Sequence, residues 1–151
     1  MRRSTPAALL ILATMAFAAN SIAATAPADA IKYRKAVMSA MAAHTGAFSL
    51  INFGRVEHRD HLLAHVDALA ALGTQIKVLF PAGTETGDTD ALPLIWQEQE
   101  KFAQLLKASE KSTAELRTAV AAGDKAATMQ AFKAVGESCK GCHDRYREKD
   151  D

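Results

Sequence analysis

The 151-residue chain holds two cysteines, three positions apart, with a histidine directly behind the second: Cys139-Lys140-Gly141-Cys142-His143. Two thiols and an imidazole at that spacing can do one specific piece of chemistry. The thiols can form thioether links to the two vinyl groups of a haem, and the imidazole can give its iron a strong axial donor. On an α-helix at about 100° per residue, Cys142 lies roughly −60° and His143 roughly +40° from Cys139, so one flat macrocycle can lie against all three. Other uses of the pair fit less well. A zinc site needs four ligands, and no second Cys/His pair of suitable spacing is present. A thioredoxin-like pair sits at the start of a helix in a βαβ setting, which this sequence does not offer.

The N-terminus indicates where that chemistry takes place. Arg2 and Arg3 precede an apolar run from Ala7 to Ala19, followed by Asn20-Ser21-Ile22-Ala23-Ala24. This is the layout of a secretory signal peptide over residues 1–23, with Ser21 and Ala23 as the small residues before the cut. The run is too short to span a bilayer. Ser4-Thr5-Pro6 does not suit a twin-arginine signal, and Pro27 disfavours a cut after Ala26. Export to the periplasm is expected, and there two cysteines would by default pair with each other. Their spacing and the adjacent histidine favour haem instead.

The elements that must position this motif form one domain, residues 24–151. Hydrophobic residues are 49% and charged residues 23%, with few aromatics and many alanines, a composition for helix–helix packing. The net charge of +1 gives no footprint for nucleic acid, and signal removal takes two arginines and leaves −1. Four segments carry helical periodicity. The first, about 29–50 with Asp29 as a cap, aligns Ile31, Arg34, Met38, Met41, Thr45 and Phe48. The second, about 59–79, aligns Leu62, Val66, Leu69, Ile76 and Leu79. The third runs from Pro93 through Trp96, Phe102, Leu106 and Leu116 to Val120. The fourth starts at the Asp124 cap and aligns Met129, Phe132, Val135, Cys139, Cys142 and Tyr146. Four helices with mostly short breaks predict an all-α, antiparallel up-down four-helix bundle, and the cysteines fall on the stripe to be buried. The haem is therefore expected inside the bundle.

With these features the chain resembles the cytochrome c′ family, the class II c-type cytochromes. The resemblance covers Ala30-Ile31-Lys32-Tyr33-Arg34, Phe80-Pro81 with the Gly/Thr-rich stretch behind it, Leu94-Ile95-Trp96 leading to Phe102, and Glu137 through Arg147. It implies one covalent haem c on Cys139 and Cys142, His143 as the proximal ligand and the first helix on the distal side. It also implies Arg34 near the haem propionates and a basic Arg147 on the proximal side. The lesser alternative for Arg34 is a surface residue at the bundle's edge, and Arg147 could equally serve only the helix C-terminus. The resemblance further allows a homodimer through the first two helices, where Ala36, Ala40, Ala43 and Ala47 would permit close packing.

The family divides at the position four residues after Arg34, which here is Met38. A thioether opposite His143 would give the ligand pair that raises haem potential and suits electron transfer. The leading expectation is thus a periplasmic electron carrier with iron held by His143 and Met38, serving periplasmic redox partner proteins and free of the membrane once the signal is removed. Met41, one turn on, is a second candidate ligand, and Met38 could be core packing alone. The alternative function is a five-coordinate cytochrome c′ that binds NO or CO. An enzyme is not expected, because Met, Ala, Ser and Val surround the iron-facing position without an acid–base pair. His58, His61 and His65 share a helical face that fits solvated surface better than a metal site, and His44 lies off the Met38–Met41 line. Trp96 and Phe102 read as packing. N-terminal sequencing of periplasmic material should find a mature chain starting at Ala24 or Thr25; a chain starting at Met1 in the membrane fraction would overturn the export reading.

Overall fold

The computed structural model describes residues 25–149; the signal segment 1–23 and its cut lie outside them. Helix α1, Pro27–Asn52, begins on a proline whose fixed φ suits the first turn. Ala26 rather than Asp29 holds the N-cap position; Asp29 sits in the first turn, where its charge complements the helix dipole. The helix stops at Gly54, whose φ of 71° lets Gly54 and Arg55 donate back to Ile51 and Leu50.

The expected second helix is broken into pieces. A 3₁₀ turn, Arg59–His61, leads into α2, Leu62–Gly73, and a second 3₁₀ turn covers Ile76–Val78. The interruption falls at Gly73-Thr74, where the Thr74 hydroxyl donates to the Ala71 carbonyl at 2.9 Å and competes with the helical ladder. The third segment also divides, into α3, Leu94–Gln97, and α4, Gln99–Ala121. Glu98 between them takes φ −117° and ψ 45° and turns its carboxylate to the last helix. That helix, α5, spans Lys125–Tyr146, with the expected Asp124 cap accepting from the Ala127 N–H at 3.0 Å.

Contacts at the helix ends fix an antiparallel bundle. Tyr33 near the start of α1 reaches Gln75 past the end of α2, Asp67 midway along α2 pairs with Arg117 late in α4, and Glu98 before α4 pairs with Arg145 late in α5. α4 packs along α5, α1 against α2, and α2 against α4, whereas α1 and α5 have little close backbone approach. Aromatic side chains join those two near the C-terminal end of α1, through Phe48 stacked on Phe132 at 4.9 Å and Phe53 edge-on to Phe132 at 6.2 Å.

The core divides along the bundle axis. One cluster holds Phe48, Ile51, Leu62, Val66, Leu116 and Val135; the other holds Val37, Ile76, Leu79, Ile95, Phe102, Leu106 and Tyr146. Most of the sequence stripes are inside, but Met129 is 42% exposed. Among the described residues there is no strand beyond one isolated bridge, Ala91 with Arg147, and no helix long and apolar enough to cross a membrane. Asp124→Ala should remove the α5 cap at about 1 kcal/mol, lowering Tm by about 3–5 °C in thermal unfolding followed by circular dichroism.

Candidate haem site

The two cysteines of the motif lie on the inner side of α5, and His143 is exposed. Cys139 packs against the first core cluster and Cys142 against the second, so the two thiols straddle the seam between them. Both are half-buried and unpaired in disulfides. Burial pushes both thiols up, Cys142 to about 11 with the neighbouring Cys139 adding to the effect. Thiols raised in this way hold less thiolate, the form that ligates zinc. The His143 ring keeps much of its surface accessible, yet the protein around it lowers its pKa by desolvation, with Arg147 reinforcing and Asp144 opposing. The neutral imidazole so favoured is the form that donates a lone pair to a metal.

Across the bundle, Met38 and Met41 on α1 are half-buried against the same cluster as Cys142, with Val37, Phe102 and Tyr146. Sequence-distant residues of the expected site are therefore brought together on the side where α1 and α5 stand apart. A donor set of two thiols, one neutral imidazole and a thioether-rich opposite wall fits a covalent haem. His44 does not belong to this wall, because its Nδ1 meets His65 Nδ1 of α2 at 3.0 Å.

Arg34 is not the surface residue that the sequence left open. It is 3% exposed. Its guanidinium donates to Leu79 O at 3.3 Å, Thr84 Oγ1 at 3.1 Å, Thr84 O at 3.2 Å and Thr89 Oγ1 at 2.6 Å. It also lies over the Phe80 ring at 4.8 Å, and Phe80 meets both Trp96 and Phe102 edge-on. Burial lowers the Arg34 pKa, opposed by the charge of Glu85. The residue thus clamps the loop of residues 79–89 onto α1, and its expected place beside the propionates has to share donors with that role. Gly87 completes the seat: at φ 114° a Cβ there would lie 3.3 Å from Ile31 Cδ1.

Arg147 differs from its expected helical position. α5 ends at Tyr146, and Arg147 is extended at φ −121° and ψ 141°, with Nε 3.8 Å from Asp90 Oδ2. Its charge still reaches His143. The residues that sequence reasoning missed are Thr84, Thr89 and Glu98. Glu98 accepts from Arg145 Nε at 2.7 Å and Tyr146 Oη at 3.0 Å, and these bonds, Arg145 first, hold its carboxyl below the usual range. Their only signal in the chain was the Gly/Thr/Asp-rich character of the loop and a carboxylate inside a helical pattern.

The cytochrome c′ family matches the chain over residues 29–147. The chain belongs to that family. A cytochrome c′ of Alcaligenes xylosoxydans is 37% identical over 124 residues, covering 82% of this chain and 96% of that protein. The solved cytochrome c prime of Shewanella frigidimarina is 35% identical, with TM-score 0.78 over 82% of this chain and 98% of its own. A mutant of cytochrome c prime from Alcaligenes xylosoxidans, solved as its nitric oxide complex, is 37% identical with TM-score 0.76, covering 82% and 97%. This cytochrome c′ carries one covalently attached c-type haem, and Cys139, Cys142 and His143 are the residues that fit it. Arg34→Lys, which replaces a fork of donors by one ammonium, should cost about 2 kcal/mol of unfolding free energy and open residues 79–89 to limited proteolysis.

Proposed function

We propose that this cytochrome c′ is an exported, periplasmic haem protein that binds a small gas, NO or CO, at an open distal side. The observation that carries the reading is the character of the α1 wall: Val37 belongs to one apolar cluster with Phe102 and Leu106, and Met38, Met41 and Leu72 pack against that cluster. A small diatomic gas needs neither a counter-charge nor a proton donor there, and an apolar wall keeps water out. The same side chains offer no proton to a bound gas, which favours reversible binding over peroxidase-type turnover. Three mutants of one relative, the cytochrome c prime from Alcaligenes xylosoxidans, are solved as nitric oxide complexes, and this supports the gas reading over the electron carrier that the sequence placed first.

When bound, the haem supplies an iron centre with one coordination position for the gas. The chain supplies the rest. Cys139 and Cys142 anchor the macrocycle, and His143 donates from the proximal side. Arg34 keeps the loop of residues 79–89 closed over the end of α1, and Met38 with Met41 shapes the distal wall. Electron transfer with Met38 on the iron is the second reading, favoured by the thioether's place on that same wall. Periplasmic redox partners and a homodimer through α1 and α2 are compatible with either.

The two readings part on the visible spectrum of the reduced protein. The gas reading expects a high-spin ferrous spectrum and CO and NO binding. It also expects Met38→Ala to leave the spin state unchanged while speeding gas binding severalfold. A low-spin ferrous wild type that Met38→Ala converts to high-spin would instead restore the His143/Met38 electron carrier.

A further inference from the structure

Four of the five histidines of the chain, all but His143, lie on α1, on α2 or in the turn between them. They do not form one group. His44 and His65 face each other through Nδ1 atoms 3.0 Å apart, with ring centroids 5.3 Å apart. That separation places the two nitrogens nearly head-on, the geometry of one N–H donating to one bare nitrogen. This pair is satisfied by itself and bonds α1 to α2.

His58 and His61 are different. The 3₁₀ turn Arg59–His61 curls the chain so that their rings stack at 5.0 Å, and ligand atoms of His58, Asp60 and His61 all lie within 4.8 Å of one another. All three side chains are exposed. Asp60 Oδ2 lies 3.5 Å from His61 Nε2. With zinc-type bonds of about 2.0–2.2 Å, an ion between those two atoms would see them at roughly 115°, close to a tetrahedral angle. Closing the set to tetrahedral separations of about 3.4 Å takes side-chain shifts of up to about 1.4 Å and a turn of the His58 ring out of the stack. The ring contact and the ion pair of these imidazoles are with each other and with Asp60, and the charge of His61 also reaches His65 on α2.

We propose that His58, Asp60 and His61 form a second metal site, separate from the haem, for a divalent ion of the zinc class. Two imidazoles and one carboxylate, with water as the fourth ligand, make an open four-coordinate set. The site stands at the α1–α2 turn, at the end of the bundle away from the Arg34 loop. Because the ligands come from four consecutive residues, binding pins that turn and does not need the haem to change.

The probe is Zn2+ titrated into the haem-loaded protein by calorimetry, with native mass spectrometry to count bound ions. One Zn2+ per chain is expected. His58→Ala and His61→Ala should each weaken binding by at least about tenfold, the loss that even outer partners of a metal site produce. Asp60→Asn should weaken it too, while His44→Ala should leave it intact. The haem absorption spectrum, unchanged in every variant, reports that the bundle is folded. Absence of saturable binding overturns the proposal, as does binding that survives both His58→Ala and His61→Ala. Binding lost in His44→Ala would place the ion at the α1–α2 histidine pair and overturn it as well.

Discussion

One constraint governs this bundle: α1 and α5 must face each other across a haem and so cannot seal against each other as the other neighbours do. A bundle with one unsealed edge has to be held at its ends. At one end Phe48, Phe53 and Phe132 span the edge with aromatic surface. At the other, Arg145 and Tyr146 of α5 share Glu98 ahead of α4, and Ala91 bridges to Arg147. The two core clusters fall on either side of the thiols, so the apolar surface that stabilises the fold also lines the place where the haem is attached.

Arg34 shows how a charge can be kept inside such a structure. An unpaired guanidinium in the interior would be prohibitive, and a carboxylate partner would add its own desolvation. Here neutral oxygens from Leu79, Thr84 and Thr89 satisfy it, and the Phe80 face supplies further attraction. The consequence is mechanical. The irregular loop between α2 and α3 is fastened to α1 one turn before Met38, so the distal wall and the loop share one anchor.

That anchoring bears on function. In the proposed function, an apolar distal wall clamped at Arg34 would have limited freedom to rearrange when a ligand arrives and would exclude water from the iron-facing side. Under the proposed gas reading, discrimination rests on size and polarity, which favours a small diatomic gas. The exposed His58, Asp60 and His61 lie at the opposite end, in and just before the 3₁₀ turn Arg59–His61, away from this wall.

The sequence alone determined the covalent haem motif, the helical class and most of the buried stripes, because each is a local pattern. C-x-x-C-H spacing is set by helix geometry, and periodicity near 3.6 needs only neighbours along the chain. It even carried the Asp124 cap, a bond spanning three residues. What it could not determine depended on partners far along the chain. Whether Arg34 lay inside or on the surface was settled by acceptors 45 to 55 residues away. The break at Glu98 needed Arg145 and Tyr146, 47 and 48 residues on, and His44 found its use in His65 on another helix. Arg147 left the helical register because Asp90 and Ala91 lie beside it. Polar side chains take their roles from whatever donors and acceptors the assembled bundle places around them, and no spacing along the chain encodes that.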